Sequence, residues 1–161
     1  GISPDIVTTA KALGNGVPIG AVWATAEVAA AFGPGDHGST FGGQPLAASA
    51  AREVLRTMVE IDAPLLAAER GQELINMLEK VEGIESVRGS GLLLAAELDA
   101  EILDKRTAPE VARECLDAGL VVNGVTPTSL RLAPPLTITT EELNRGAALL
   151  EEVLNSSKGE E

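Results

Sequence analysis

Apolar positions in the first part of the chain come as short β-favouring runs, at residues 6–9 and 19–24, with a turn containing Gly14, Gly16 and Pro18 between them. This pattern predicts two buried strands joined by a glycine loop. Thr25 is placed to cap a short helix, AEVAAAF, which stops at Gly33-Pro34-Gly35. From Gln44 the period changes to that of a helix. Pro45 falls in its first turn, and Leu46, Ala50, Val54 and Met58 recur at four-residue steps on one face. A second helix begins near Asp62 and carries Leu66, Arg70, Leu74, Leu78 and Val81 to a stop at Gly83. A helix pair of this kind is suited to bridging two domains.

Beyond Gly83 the texture is that of a small α/β unit. VRGSGLLLAAEL reads as a glycine turn feeding one apolar strand. Residues 107–119 read as a helix opened by a capping box at Thr107 and Glu110, and residues 120–123 as another strand. LRLAPPLTI reads as strand, proline break and short strand. Thr139 and Glu142 then cap a last helix, on which Leu143, Ala147, Leu150 and Leu154 face one way. Residues 156–161 form a polar tail.

With 161 residues, 45% of them apolar, the chain can build a core, and its net charge of −12 opposes attraction to nucleic acid or to an anionic membrane surface. No apolar run approaches the length of a spanning helix. Cys115 is the only cysteine; four residues from Val111 in a helical pattern, it reads as a small core residue, consistent with a reducing cytoplasm. His37, the only histidine, lies in a glycine-rich polar loop and reads as structural or peripheral. No metal site is expected. Aromatic residues make up only 2% of the chain, which opens on Gly1-Ile2-Ser3-Pro4, and the expectation is a fragment with its amino-terminal portion missing.

Two stretches carry candidate chemistry. GPGDHG at residues 33–38 has the letters of a dinucleotide fingerprint, with Glu53 at about the spacing of a ribose-binding acid. The context fails, because a helix pattern precedes it, the loop STFGG follows it, and Glu53 lies inside a helix pattern. In TTAKALGNGVPIGA, a lone Lys11 follows an apolar run and precedes the glycine turn. It is either a surface lysine at a strand end or an amine that condenses with an aldehyde, which would remove the penalty of burying its charge. In the second case Gly14 and Gly16 would leave room beside it.

TTAKALGNGVPIGA, HGSTFGGQPLAASAA and SLRLAPPLTIT occur in that order, and from Pro4 to about Leu154 the chain resembles the carboxy-terminal part of the class III (ornithine type) aminotransferases, which use pyridoxal 5'-phosphate. The resemblance implies an α/β fold, that of a fold-type I transferase. Residues 1–60 would be part of the large cofactor domain, 61–82 a linking helix, 83–156 a small carboxy-terminal domain and 157–161 a tail. It implies that Lys11 joins the cofactor aldehyde and, once displaced by substrate, shuttles a proton. It further implies that Thr40, with Ser39 beside it, reaches the cofactor phosphate of a neighbouring subunit, and that Arg131 receives the substrate α-carboxylate in both half-reactions. The acetylornithine branch is the most similar. It implies ω-amino transfer from N-acetylornithine to 2-oxoglutarate in arginine biosynthesis, by a cytoplasmic homodimer with its active site at the interface. Ornithine, succinylornithine and 4-aminobutyrate are alternative donors.

The family's phosphate-cradling turn, its ring-stacking aromatic residue and the aspartate that pairs with the pyridine nitrogen all precede the lysine and have no counterpart here. The expectation is therefore that these 161 residues are inactive alone. A reading from another class is an inert truncated dimerising or binding module. Smaller departures from the family pattern are Gln44, where asparagine is common, and VNGVTPTSLR ahead of Arg131.

Overall fold

The computed structural model describes residues 1–103 and 106–156, and the chain divides into two compact units, Gly1–Asp62 and Ala63–Glu161. The tail expected at 157–161 lies outside the described residues.

In the first unit, β1 (Ile6–Thr9) pairs antiparallel with β2 (Ala21–Ala24), Ile6 opposite Ala24 and Thr9 opposite Ala21. A 3-10 turn over Lys11–Leu13 follows β1 directly. Thr25 caps α1 (Ala26–Ala29), its hydroxyl accepting from the Val28 N–H at 3.4 Å. The long helix α2 (Pro45–Glu60) has its proline in the first turn, where a missing N–H costs nothing.

Two expectations fail in this unit. The strands read as buried are exposed, with Val22 at 72% and Trp23 at 56%, because a two-stranded ribbon has no third strand or packed helix to cover its faces. On α2 the buried positions are Ala47 and Ala51, whereas Leu46 on the expected apolar face is 80% exposed. α2 touches the Lys11–Leu13 turn, and the small alanine stripe permits close approach where leucine would not.

The second unit is a four-stranded antiparallel sheet of order β3-β4-β6-β5 with helices on one face. Its elements are α3 (Ala63–Leu78), β3 (Ile84–Ser90), β4 (Leu93–Leu98), α4 (Ala100–Leu103), α5 (Ala108–Asp117), β5 (Asn123–Gly124), β6 (Ser129–Leu132) and α6 (Thr140–Ser156). Period-two alternation along β4 puts Leu94, Ala96 and Leu98 inward, where they meet Leu78 of α3, Val111 and Cys115 of α5, and Leu150 and Leu154 of α6. Arg70, which interrupts the apolar stripe of α3, donates to Glu73 at 2.8 Å and to Thr140 at the start of α6 at 2.6 Å. Both capping signals hold: Glu110 accepts from the Thr107 N–H at 2.7 Å, and Glu142 from the Thr139 N–H at 2.8 Å.

The sheet corrects three readings. VRGS is part of strand β3, which turns into β4 at Gly91-Leu92, and is not a turn feeding a single strand. Of residues 120–123 only Asn123 is in a strand, in the two-residue β5. No strand forms after the proline break. Pro134 and Pro135 offer no N–H to a ladder, and the chain turns instead, the Ile138 N–H reaching the Pro135 carbonyl at 3.0 Å.

Candidate active site

Each candidate side chain is positioned by its own local structure. β1 ends at Thr9, Ala10 is fully extended, and Lys11 then adopts φ +56°, a left-handed conformation that crowds any Cβ. The reversal is closed by the Leu13 N–H on the Ala10 carbonyl at 3.1 Å and the Gly14 N–H on the Lys11 carbonyl at 3.3 Å. Asn15 and Gly16 are also left-handed, at +46° and +103°. The outcome is an exposed amine at the rim of a shallow pocket of about 360 Å³ shared with Gly16, Val17, Pro18 and Ile19.

The two glycines act differently from the expectation that both leave room for a ligand. Gly14 is buried, and a Cβ there would lie 2.1 Å from the Val17 carbonyl oxygen and 2.8 Å from Ile19 Cγ2. Its missing side chain is filled by the loop folding back on itself. Gly16 faces open space and is required by its backbone conformation alone.

Ser39 and Thr40 sit in the turn that leads into α2. The Gly42 N–H reaches the Ser39 carbonyl at 3.4 Å, and Gly43 is left-handed at +67°. Both residues are exposed, and neither hydroxyl bonds another described residue, so turn capping does not occupy them. The GPGDHG loop upstream is an aspartate-closed turn, Asp36 accepting from the Gly33 N–H at 2.5 Å; α1 precedes it, and α2 starts only at Pro45. His37 packs edge-to-face on Phe32, with ring centroids 4.8 Å apart. Cys115 is fully buried, and burial pushes its thiol up to about 11.

Arg131 lies on the sheet face opposite the helices. Register places Arg88, Ala95, Arg131 and Asn123 side by side across the four strands. The guanidinium is exposed, and its Nη2–H donates to Asn123 Oδ1 at 3.1 Å. Next to this row, Glu97 accepts from Ser129 at 2.6 Å, from Thr128, and from Arg88 Nη1 at 3.1 Å. These bonds, Ser129's foremost, hold its carboxyl below the usual glutamate range.

Lys11, Ser39 and Thr40 thus belong to the first unit and Arg131 to the second, and no hydrogen bond joins the Lys11 amine to either hydroxyl. Sequence reasoning missed Asn123 and Glu97. Asn123 stands in VNGVTPTSLR, noted only as a departure, and its partnership with Arg131 depends on a strand register that no local pattern announces. Among the described residues there is no group of three or more potential metal ligands, and no helix is long and apolar enough to cross a membrane.

Comparison with known proteins places these observations. The family model for aminotransferase class-III matches residues 1–154. The chain is 41% identical over 154 residues to an acetylornithine aminotransferase of Corynebacterium efficiens, a match that covers 96% of this chain and 37% of that protein. N-acetylornithine aminotransferase from Stenotrophomonas maltophilia K279a superposes with a TM-score of 0.81 at 32% identity, over 98% of this chain and 41% of that one. An ornithine aminotransferase from Toxoplasma gondii, crystallised with oxidised glutathione and showing partial occupancy of PLP at its active site, superposes with a TM-score of 0.82 at 32% identity, over 96% and 37% of the two chains. The chain therefore spans about two fifths of the length of the relatives it matches.

Proposed function

Because this chain belongs to the class-III aminotransferases, a family of pyridoxal-phosphate-dependent transaminases, we propose that the complete protein transfers the ω-amino group of N-acetylornithine to 2-oxoglutarate, as a step of arginine biosynthesis. The observation that carries the reaction is Lys11: a lysine held left-handed at a strand end, with its amine exposed over a glycine turn folded tightly beneath it. The names of the relatives support the choice of donor. Ornithine is the second reading, favoured by structural neighbours that are ornithine aminotransferases.

The donor set fits the cofactor and its substrate: a primary amine for an aldehyde, two unengaged hydroxyls for a phosphate and, for a substrate carboxylate, a guanidinium that donates to the neutral Asn123 amide. Pyridoxal 5'-phosphate, when bound, supplies the aldehyde and the electron-withdrawing ring on which amino transfer depends. In this proposal the Lys11 Nζ holds the cofactor and afterwards carries the proton across the reacting carbons. Ser39 and Thr40 donate O–H groups to the phosphate, from the partner subunit's side of a homodimer interface. Arg131 grips the α-carboxylate of each substrate through two parallel N–H bonds, worth roughly 1.5 to 3 kcal/mol where water is excluded. The division into 1–60, 61–82 and 83–156 as cofactor domain, linking helix and small domain, and a cytoplasmic location, complete the proposal.

The test is turnover by the complete protein with N-acetylornithine, ornithine, succinylornithine and 4-aminobutyrate, each against 2-oxoglutarate. N-acetylornithine should give the highest kcat/KM, and Lys11→Ala should lower kcat by about a thousandfold or more. Borohydride reduction followed by peptide mapping should place the trapped cofactor on Lys11 alone. Preference for another donor would reassign the substrate, and trapping on other lysines would remove Lys11 from its role.

A further inference from the structure

Ser129 is the one polar residue buried among the described residues, at 1% exposure, and it stands on β6 two positions before Arg131, on the same face of the sheet. A buried hydroxyl is tolerated when its hydrogen bonds are made, and these are. Its O–H donates to Glu97 Oε2 at 2.6 Å, and its oxygen accepts from the Thr126 hydroxyl at 2.8 Å. Thr126 Oγ1 accepts in turn from the backbone N–H of Ser129 at 2.8 Å and from that of Thr128 at 3.3 Å. The Thr128 hydroxyl donates to the other oxygen of Glu97, and the Val125 N–H closes the turn on the Ser129 carbonyl at 3.0 Å. The segment 125–129, part of the VNGVTPTSLR stretch ahead of Arg131, is thereby laced to a carboxylate on β4.

We infer that Ser129 is a positioning residue for substrate binding, anchoring through Glu97 and Thr126 the short strand that presents Arg131. This rests on reading Arg131 as the carboxylate-binding residue. β6 has four residues and its hairpin partner β5 has two, so the ladder around Arg131 is brief. On the far side Pro134 and Pro135 have no N–H with which to extend it. Anchorage beyond the ladder comes from the near side, where Glu97 sits on a strand whose other face, Leu94, Ala96 and Leu98, is buried in the core. A charged acceptor makes the strong form of hydrogen bond, and a polar network whose members are all satisfied is rigid. A two-pronged grip on a carboxylate depends on angle as well as distance, so a strand that holds still sharpens it.

The test measures KM for 2-oxoglutarate and for the amino donor in the complete, cofactor-loaded protein, together with amide exchange in β6. Ser129→Ala removes both side-chain bonds at almost constant volume. It should raise KM roughly tenfold, as if one of the two N–H bonds to the carboxylate were weakened, with kcat nearly unchanged. Exchange in β6 should speed up with it. Ser129→Thr keeps the hydroxyl and should restore both readouts. Val153→Ala, a core truncation on α6, should lower Tm at least as far without moving either of them. The role of Ser129 is overturned, and that of Arg131 stands, if Arg131→Ala raises KM while Ser129→Ala does not. It is overturned equally if exchange in β6 is unchanged, or if Val153→Ala raises KM as much as Ser129→Ala does. If Arg131→Ala leaves KM unchanged, the reading of Arg131 fails, and with it the link from Ser129 to substrate.

Discussion

A non-glycine residue held left-handed raises the free energy of the fold by roughly 1 to 3 kcal/mol, and Lys11 bears that cost with no side-chain hydrogen bond or ion pair among the described residues to offset it. Strain of this kind persists only where the surrounding turn enforces it, and here the enforcing residue is Gly14. A methyl group at Gly14 would meet the Val17 carbonyl oxygen at 2.1 Å, a backbone atom with no rotamer to escape into, whereas one at Gly16 would meet only backbone strain. Gly14→Ala should therefore displace the turn and reduce reductive trapping of cofactor on Lys11 to a small fraction of wild type. Gly16→Ala should cost about 1 kcal/mol of stability and leave most of the trapping intact. Equal losses in the two variants would mean that the turn tolerates the close approach and that strain alone matters. Cys115, buried and with its thiol pushed up, should resist alkylation until the second unit unfolds.

At the scale of elements, the carboxyl group of Glu97 fastens β3 and the start of β6 to β4, the strand that carries it. Its hydrogen bonds lower its folded-state pKa from the ordinary value of 4.5. A group depressed in this way contributes stability that is present above its unfolded value and is lost as pH falls through the folded one. Glu97→Gln should thus have a lower Tm than wild type at neutral pH, and the gap should close as pH falls below 4.5. A gap that stays constant down to about pH 3 would show that the clamp does not depend on charge. Arg70, on the buried stripe of α3 where periodicity expects an apolar residue, ties α3 to the first turn of α6 through its hydrogen bond to Thr140.

The two units differ in what they bury. Between Gly1 and Asp62 the buried apolar residues are Ala47 and Ala51, while Ile6, Val22, Trp23, Phe32 and Phe41 are exposed. The second unit buries Leu78, Leu94, Leu98, Leu130, Leu150 and Leu154 essentially completely. At about 25 cal/mol per Å² of apolar surface removed from water, the first unit has little to set against its chain entropy. Amide hydrogen exchange on the 161-residue chain should show strong protection in α3, β4, α5, β6 and α6 and weak protection in β1, β2 and α1. Equal protection in both halves would show that the first unit is held by more than its own core.

Features that depend on neighbours along the chain are legible in the order of residues. The cap at Thr25, whose hydroxyl accepts from the Val28 N–H, and those at Thr107 and Thr139, whose N–H groups donate to Glu110 and Glu142 three residues on, hold because each side chain reaches backbone only a few residues away. The bodies of α2, α3, α5 and α6 follow from helical period, and the order of three motifs pointed to the family to which residues 1–154 match. Tertiary structure decided what depends on partners distant in the chain. The apolar runs of β1 and β2 suggest burial, but burial needs a covering surface, and within their own unit there is none. VRGS looks like a turn until β4 supplies a partner for its backbone groups. The meeting of Arg131 with Asn123, eight residues apart on adjacent antiparallel strands, follows from strand register, which is fixed by which faces the sheet must bury and not by the residues that end up touching.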